Sequence, residues 1–342
     1  MPADKVTVAV AGLGRIASTL EKDALREKPC THIGAVAAHP ECTIAAGCDI
    51  DGEARERFME DWGGLDPVPR VFDSAAAMLS GERPDIMIVA TYPDSHYPIT
   101  AQAAAAGVPV VICEKPLAHS LGAAKKIAVI HRRGISKVLV NHERRYSADY
   151  IAVKEAVGSR LYGELLSVKA VLYFGRSTPL KNMLLHDGTH LVDMVNYICP
   201  GPLRISRLSG PLKRTARAAA AGGTSVFLTG KAGGVSVAIE AGSGRDHLVF
   251  ELELSFERGR IRVGNGILEY EASGESPFYE GYRSLRQDKR PDTIPEIKKT
   301  GYFYNMIDDA VRCVRQPGRE PVSSAEDGLE VMKFIRSVRA CR

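Results

Sequence analysis

A glycine-rich loop near the start of the sequence has the residue types that hold a phosphate group. Residues 12–17 read G-L-G-R-I-A, a G-x-G-x-x-A pattern that directly follows an apolar run at residues 6–11. After a strand, the first glycine of this pattern makes a tight turn and the second lets the backbone approach a diphosphate. The pattern predicts a dinucleotide site, and its expected contacts are Gly12, Gly14, Arg15 and Ile16.

An acidic residue follows the next predicted strand. Asp49 closes the apolar run at residues 43–48, where a carboxylate can accept hydrogen bonds from an adenosine ribose. A carboxylate at this position repels a 2′-phosphate, so NAD is favoured over NADP. Arg55 and Arg57 lie nearby and keep NADP possible.

The segment between the glycine loop and Asp49 is longer than usual, since Gly12 and Asp49 lie 37 positions apart where about 20 is typical. Thr31 is a good N-cap for a short helix at residues 32–39, which predicts that residues 18–30 are inserted before that helix and cover a bound cofactor. The alternative is a helix at residues 16–28. No common zinc spacing is matched by Cys30, His32, His39 and Cys42.

A lysine follows the fifth predicted strand, in the run C-E-K-P-L at residues 113–117. Lys115 is therefore expected at the carboxyl edge of a parallel sheet, where open α/β folds bind their ligands. Apolar surroundings and the positive charge of an oxidised nicotinamide would help this lysine to lose its proton. It would then be suited to accept a hydroxyl proton during hydride transfer.

Strands and helices alternate over the first 140 residues and would position these groups. The apolar runs fit strands that are buried on both faces of a parallel sheet. We predict an α/β Rossmann dinucleotide-binding domain at residues 1–145. Its predicted strands cover residues 6–11, 43–48, 86–90, 108–113 and 138–141, and its predicted helices include residues 98–106 and 121–132.

A different pattern after residue 150 predicts a second domain at residues 146–342, of the α+β class with a largely antiparallel open sheet. A predicted helix at residues 188–198 precedes strands whose period of two, as at 250–254 and 260–263, fits a sheet with one exposed face. Because a large apolar sheet face is seldom left bare, we expect a homodimer or homotetramer. Predicted loops cover residues 213–223 and 273–295, and predicted helices cover 304–315 and 325–339, with the last helices packing back on the first domain.

Composition and charge exclude several classes of protein. The 342 residues suit two domains, and 45% apolar with 25% charged residues is ordinary for a globular protein. The 45 basic and 41 acidic residues are spread along the chain, which argues against a nucleic-acid partner. Seven scattered cysteines predict reduced thiols and a cytoplasmic location. No apolar run reaches the roughly 18 residues of a membrane span.

Several short motifs, taken in order, resemble those of one family. They are G-L-G at 12–14, T-Y-P-D-S-H at 91–96, E-K-P at 114–116, R-Y at 145–146, G-T-H at 188–190 with Asp193, and E-P-V-S-S-A-E-D-G at 320–328. Over nearly the whole chain this pattern resembles the Gfo/Idh/MocA oxidoreductases, the glucose-fructose oxidoreductase and inositol dehydrogenase family. The resemblance implies NAD(P)-dependent reactions on sugars, cyclitols and related compounds. It also implies that Lys115 lies at the reacting carbon and that His190 is a proton acceptor or donor.

The motif around His190 departs from the family pattern. Where the family usually has an aspartate four residues earlier, this sequence has His186, which shares a helix face with His190. A pair of histidines could move the proton while Lys115 orients the hydroxyl. Asp187 could take the role of the family aspartate only if the helix began at a different residue. A zinc ion between the two histidines lacks an evident third ligand.

Further site residues are expected from their positions after predicted strands. Thr91 and His96 follow the fourth strand, and Glu114 precedes the lysine, so all three join Asp49 and Lys115 as predicted cofactor contacts. Predicted substrate contacts are Lys115, Arg145, Asp187 and His190. An anionic substrate would be met by Arg144, Arg145, Arg176 and Lys181, and Tyr302 and Tyr304 would stack on a sugar ring or pack in the core.

The predicted function is hydride transfer between a nicotinamide and a carbinol carbon of a sugar, a cyclitol or a sugar derivative, with Lys115, His190 and His186 as the catalytic residues. Two alternatives stay open. One is a redox-neutral enzyme that keeps NAD tightly bound and cleaves glycosides through a transient ketone. The other is a non-catalytic protein that senses NAD.

Overall fold

The computed structural model describes residues 5–173, 187–210, 224–288, 297 and 299–340. Two compact units are distinguished by their internal contacts. The first is formed from residues 1–147 and 299–332, and the second from residues 148–298 and 333–342.

The first unit is built on a six-stranded parallel sheet. Its strands are β1 (Val6–Ala11), β2 (Cys42–Cys48), β3 (Arg70–Phe72), β4 (Ile86–Val89), β5 (Val110–Cys113) and β6 (Lys137–Val140). They lie in the order β3-β2-β1-β4-β5-β6, so the chain reverses direction across the sheet beside β1. This topology confirms the predicted Rossmann domain and brings the carboxyl ends of β1, β2, β4, β5 and β6 to one edge.

Four helices of the described residues begin after a residue whose side chain caps them. Thr31, Asp51, Ser74 and Ser120 each accept a hydrogen bond from a backbone amide two or three residues later. The helices are α1 (His32–Ala38), α2 (Gly52–Trp62), α3 (Ala75–Gly81), α4 (Pro93–Ala105), α5 (Leu121–Arg132), α6 (Ala148–Gly158), α7 (Gly188–Ile198), α8 (Tyr302–Arg315) and α9 (Ala325–Ala340). None of them combines the length and apolar character that crossing a bilayer requires.

One predicted helix starts earlier than expected. The prediction placed its start at residue 98, whereas α4 begins at Pro93 and continues through Pro98. Proline is well tolerated in the first turn of a helix, where its missing N–H has no partner in the helix. Pro93 therefore starts α4. Pro98 lies in the second turn, where it removes one hydrogen bond of the helix without ending it.

The inserted segment lies where the first of the two interpretations placed it. Residues 18–30 form a short 3₁₀ turn (Thr19–Lys22) and loops, and α1 follows with Thr31 as its N-cap. The alternative helix at residues 16–28 is wrong. Residues 21–29 are mostly polar and end in a proline. They offer no apolar face that would hold a longer helix against the sheet.

Two apolar cores cover the two faces of the first sheet. Alternate residues of β1 point to opposite faces, with Val8 and Val10 in one core and Ala9 and Ala11 in the other. Helices α1 and α8 pack on the valine side, while α4, α5 and the start of α9 pack on the alanine side. Both faces are thus buried, which fits the near-continuous apolar strands.

The second unit contains an eight-stranded sheet. Its strands are β7 (Leu165–Tyr173), β8 (Leu203–Ser209), β9 (Thr224–Ala232), β10 (Val235–Ser243), β11 (Val249–Phe256), β12 (Gly259–Gly264), β13 (Ile267–Glu275) and β14 (Arg283–Asp288). The order is β14-β13-β12-β11-β7-β10-β9-β8, and every neighbouring pair except β7 and β10 is antiparallel. Buried and more exposed residues alternate along β11, which confirms the predicted period of two.

The predicted loop at residues 273–295 is wrong in part. β13 extends to Glu275, and β14 occupies residues that are mostly polar and exposed at the edge of the sheet. An edge strand with little buried surface has no apolar alternation, so its sequence resembles a loop. The other predicted loop, at residues 213–223, lies outside the described residues.

Candidate active site

The glycine loop after β1 has the geometry of a tight turn. Gly12 adopts a φ of +88°, and a Cβ atom there would lie 2.5 Å from the carbonyl oxygen of Ala90. Its amide donates a hydrogen bond of 2.8 Å to the carbonyl oxygen of Cys48 at the end of β2. Only glycine fits this position, because a side chain would collide with the backbone at the end of β4, the neighbouring strand in the sheet.

Gly14 occupies a different environment, and this environment tests whether a dinucleotide fits. No atom lies within 4 Å of the place where its Cβ would be. The open space leaves its backbone accessible to a diphosphate, as the second glycine of the motif requires. Arg15 is exposed and Ile16 half-buried beside it. The residues present therefore fit an NAD-type cofactor.

Asp49 lies at the end of β2 and is held against the glycine loop. One carboxylate oxygen accepts a hydrogen bond from the Leu13 amide at 2.8 Å, and the other accepts one from the Asp51 amide at 3.0 Å. The Arg55 guanidinium donates to the Asp49 carbonyl oxygen at 2.7 Å. A carboxylate has about four acceptor sites, so two remain for the hydroxyls of a ribose.

His96 is fully buried and links two loops at the same edge of the sheet. Its Nδ1 atom lies 3.1 Å from the carbonyl oxygen of Pro116, and its Nε2 atom lies 3.0 Å from that of Thr91. Both ring nitrogens thus face backbone oxygens and the side chain has no exposed surface, and the predicted contact with a cofactor stays a prediction. His96 positions the loop that follows Lys115. Thr91 is half-buried, and its hydroxyl accepts from Ser95 at 2.7 Å.

Glu114 is also an internal residue, and its predicted contact with a cofactor stays a prediction. Its buried carboxylate receives hydrogen bonds from His32 Nε2 at 2.8 Å and from the Asn141 side-chain amide, and it accepts from the Lys115 backbone amide at 3.1 Å. Burial raises the pKa of this carboxyl, but the His32 and Asn141 hydrogen bonds and the Lys115 charge outweigh it, so the pKa lies below its usual value. A buried, ionised Glu114 therefore holds the backbone at Lys115.

Lys115 itself is half-buried and follows the carboxyl end of β5, beside the end of β4 and of β6. The backbone on both sides of it is fixed, by Glu114 before it and by His96 after it. A reactive amine on such a rigid mount is suited to hold a substrate hydroxyl at a fixed position.

Arg145 is buried and pairs with residues near the start of α9. Its guanidinium lies 3.0 Å from Asp327 of α9 and 3.1 Å from the carbonyl oxygen of Val322. This ion pair ties the 3₁₀ helix Glu143–Tyr146 to the start of α9, and the predicted substrate contact of Arg145 stays a prediction. Tyr304 likewise packs, because its ring stacks on His39 at 5.1 Å.

The second unit contributes a separate set of predicted residues. His190 is buried in the first turn of α7, and its backbone amide donates to the carbonyl oxygen of Asp187 at 3.1 Å. Asp187 is half-buried and precedes the helix. His186, Arg176 and Lys181 lie outside the described residues, so the predicted histidine pair stays a prediction.

The residues weighed for zinc contact other partners. His32 binds Glu114, the Cys30 thiol donates to the Leu20 carbonyl oxygen at 3.2 Å, and only His39 and Cys42 lie together, at 3.5 Å. In the part of the chain that the structure describes, no group of three or more metal-ligating side chains is arranged to hold an ion.

Glu143 was missed by the sequence analysis. It opens the 3₁₀ helix three residues after β6 and is half-buried. Burial raises the pKa of its carboxyl and the Glu114 charge adds to this, against the opposing charges of Arg144 and Lys115. Its position after the strand next to β5 is the signal that could have found it, because neighbouring parallel strands end at the same edge.

These observations define the first unit as the dinucleotide-binding domain of an oxidoreductase. Residues 6–142 match the model of the GFO_IDH_MocA family, described as an oxidoreductase family with an NAD-binding Rossmann fold. The match to the family model covers the first unit up to the start of the 3₁₀ helix.

Several dehydrogenases resemble the chain in sequence or in fold. The chain is 27% identical to the D-apiose dehydrogenase of Paraburkholderia graminis, over 86% of this chain and 79% of that protein. It is 30% identical to the inositol 2-dehydrogenase of Paracoccus denitrificans over 45% of this chain, which spans 46% of that relative's length. A dehydrogenase from Chromobacterium violaceum shares the fold, with a TM-score of 0.77 and 17% identity over 98% of this chain and 95% of that one.

Proposed function

We propose that the protein transfers a hydride between NAD and a carbinol carbon of a sugar, a cyclitol or a sugar derivative. The observation that carries the proposal is the rigid mount of Lys115 at the edge of the sheet that also bears the glycine loop and Asp49. The dehydrogenases that resemble the chain act, by their names, on apiose and inositol. Both compounds are polyhydroxylated, which supports this substrate class.

The glycine loop and Asp49 would hold the cofactor. The accessible backbone at Gly14 would bind the diphosphate, and the two remaining acceptor sites of Asp49 would bind the adenosine ribose. When bound, NAD supplies the electrophilic carbon that receives the hydride. Arg55 donates to the Asp49 carbonyl oxygen, so its positive charge is directed toward the protein and away from a 2′-phosphate. NAD would therefore be preferred over NADP.

Proton transfer would be shared by Lys115, His190 and His186. Lys115 would bind the substrate hydroxyl and accept its proton as the hydride leaves, and His190 would exchange that proton, assisted by His186. Asp187 would bind a further substrate hydroxyl. This assignment is supported by the family resemblance of the motifs around residues 115 and 190.

A spectroscopic screen tests the function. Purified protein is mixed with NAD or NADP and a panel of sugars, sugar acids and inositols, and the absorbance of reduced nicotinamide is followed. Net accumulation with at least one polyol, faster with NAD, is the expected result. Turnover of a substrate without any net accumulation would contradict hydride transfer to free NAD and support a redox-neutral reaction.

The second unit is proposed to form a homodimer or homotetramer through the outer face of its sheet. That face is charged: Arg262 lies 2.8 Å from Glu269 and 3.5 Å from Glu251, and Arg260 lies 3.4 Å from Glu253. A face carrying both signs can complement a second copy of itself across a two-fold axis. Light scattering after size exclusion would show an oligomer that dissociates in Arg260→Glu; a monomeric wild type would contradict the proposal.

A reducing compartment such as the cytoplasm is proposed from the cysteines. The six described cysteines are buried thiols without disulfide partners: Cys30, Cys42, Cys48, Cys113, Cys199 and Cys313. Fractionation of the source cells followed by immunodetection would test this location.

A further inference from the structure

The hairpin of β13 and β14 extends past the end of the neighbouring strand β12. The last residue pair between β12 and β13 joins Gly259 to Ala272, whereas β13 and β14 pair as far as Glu275 with Arg283. Residues 274–284 therefore leave the eight-stranded sheet as a two-stranded projection, which we call the arm. A two-stranded hairpin on its own is only marginally stable in water, so a projecting one gains stability from a partner.

Three aromatic side chains at the tip of the arm face solvent. Phe278 is 77% exposed, Tyr279 70% and Tyr282 72%, and the two tyrosine rings meet edge to face at 6.3 Å. Since an aromatic side chain has an area of about 150–250 Å², the three together expose about 450 Å². The largest apolar patch of a typical monomer is about 300–600 Å² and is often functional. The tip of the arm alone reaches that size.

Hydrogen bonds between its two strands brace the arm. The Arg283 guanidinium donates to the hydroxyl of Ser273 at 3.0 Å and to its carbonyl oxygen at 2.9 Å. The Ser284 hydroxyl donates to that of Ser276 at 2.9 Å, and the Ser276 amide donates to the Tyr282 carbonyl oxygen at 2.9 Å. The aromatic groups are thus held on a preformed scaffold, and little conformational entropy is lost when they dock.

The charges of the arm distinguish between candidate occupants. The side chains of Glu275 and Glu280 are exposed beside the aromatic groups. The guanidinium groups of Arg283 and Arg286 are directed at the carbonyl oxygens of Ser273 and Glu275. An anionic lipid surface would repel the two carboxylates, while these arginines are already bonded to the arm itself. A protein surface is therefore favoured over a membrane.

The exposed area distinguishes one docked arm from two. A single docked arm buries about 450 Å² of itself and as much of its partner, about 900 Å² in total, which is below the roughly 1,200 Å² of a specific, stable interface. Two arms exchanged across a two-fold axis bury about 1,800 Å², within the standard range of about 1,200–2,000 Å². Both arms of such an interface are present only when the partner is a second copy of this chain.

The same end of the sheet offers a surface that can receive an arm. The Arg258 carbonyl oxygen accepts a hydrogen bond of 2.9 Å from the Ser273 amide, and the Arg258 side chain is exposed. At this end β7 also begins, and its Leu166 is 52% exposed. An aromatic ring can pack on a leucine and stack against a guanidinium. Because this surface adjoins the base of the arm, one two-fold axis can bring both arms onto both surfaces.

We propose that the arm docks on Leu166 and Arg258 of a second copy of the chain, and that two such contacts related by a two-fold axis form a dimer interface. Phe278 and Tyr282 are its apolar anchors, since a few buried aromatic residues dominate interfaces of this kind. The interface is separate from the charged sheet face proposed above, and a molecule that uses both is a tetramer.

Sedimentation velocity of the full chain over a range of micromolar concentrations tests the proposal. The double variant Phe278→Ser/Tyr282→Ser should have half the mass of the wild type, with a Kd raised more than about a hundredfold, because each lost anchor occurs twice in a two-fold interface. An unchanged mass and Kd overturn the proposal. A wild type that is monomeric throughout this range overturns it as well.

Three further variants control this comparison. Leu166→Glu places a charge in the receiving surface and should halve the mass in the same way, and an unchanged mass would refute docking at Leu166. Phe278→Tyr keeps an aromatic ring and should keep the wild-type mass. Val68→Ser removes an apolar side chain of the first unit that is 59% exposed, and it should also leave the mass unchanged.

Hydrogen exchange of the wild type is a measurement that needs no variant. The amides of residues 276–282 should exchange more slowly at a concentration where the oligomer forms than after dilution to the monomer, and equal rates would overturn the proposal. Vesicles of phosphatidylcholine and phosphatidylserine provide the test of the lipid alternative. The wild type should stay in the supernatant when they are sedimented, and co-sedimentation that the double variant loses would overturn docking on a second copy.

The same sedimentation runs separate this interface from the sheet face. If the double variant halves the mass and Arg260→Glu does not, the sheet-face contact fails and the arm contact stands. If only Arg260→Glu changes the mass, the arm contact is overturned. Neither result depends on whether the protein reduces NAD with a polyol.

Discussion

The Asp49 carboxylate accepts a hydrogen bond of 2.8 Å from the backbone amide of Leu13, between the two glycines of the loop. This bond couples the residue proposed to bind the ribose to the loop proposed to bind the diphosphate. One side chain would therefore position both halves of the proposed cofactor site.

Asp49→Ala should weaken NAD binding far more than NADP binding. The variant loses charge-assisted hydrogen bonds to the ribose hydroxyls, about 1.5–3 kcal/mol, or roughly ten- to a hundredfold in Kd. Loss of repulsion toward a 2′-phosphate offsets the effect for NADP. Dissociation constants from nicotinamide fluorescence would measure both. Asp51→Asn, which keeps a helix-capping side chain, is the control, and equal losses for the two cofactors would refute the NAD preference.

Glu114→Gln should destabilise the first unit by about 3 kcal/mol near neutral pH. The carboxylate is buried, and replacing it breaks its pairing with His32 and the Lys115 charge. Chemical denaturation at several pH values would measure the loss.

The same variant has a defined pH dependence. Because the folded-state pKa of Glu114 is depressed, its contribution is present above the unfolded value of about 4.3 and is lost as the pH falls through the folded value. The gap in stability between wild type and variant should therefore shrink below about pH 4. A gap that is constant from neutral to acid pH would show that Glu114 is not ionised in the folded protein. Glu82→Gln, which removes a surface ion pair with Arg70, serves as the control.

Glu27→Ala should lower the free energy of unfolding by about 1–2 kcal/mol, since it removes the acceptor for two amides at the start of α8. Hydrogen exchange at the amides of Thr300 and Gly301 should become faster, while exchange in α2 stays unchanged. Unaltered protection at these two amides would show that Glu27 does not cap the helix.

Much of the first unit could be predicted from the sequence, because its strands are short apolar runs and its caps are local. The positions of β1, β2, β4, β5 and β6 along the chain follow from such signals, and so does the start of α1 after Thr31. β14 was missed because an exposed edge strand carries no apolar alternation.

The residues of the site were harder to assign, because a role depends on which partner reaches the side chain. Histidine and arginine are residue types that suit a functional site. The His96 ring, however, faces the backbone oxygens of Pro116 and Thr91, and the Arg145 guanidinium pairs with Asp327 of α9. These partners are distant in sequence, and no local pattern reveals them. Glu143 was overlooked for the same reason, since its position at this edge of the sheet depends on the pairing of β5 with β6.

Replacing Lys115 tests the central claim most directly. With a polyol found to reduce NAD in the wild type, Lys115→Ala should lower kcat by about 10²–10⁴-fold while the Kd for NAD changes less than about threefold, because the amine acts on the substrate proton. Lys125→Ala should match the wild type. Turnover by Lys115→Ala at the wild-type rate, or a loss of NAD binding as large as the loss of turnover, would contradict the role proposed for this lysine.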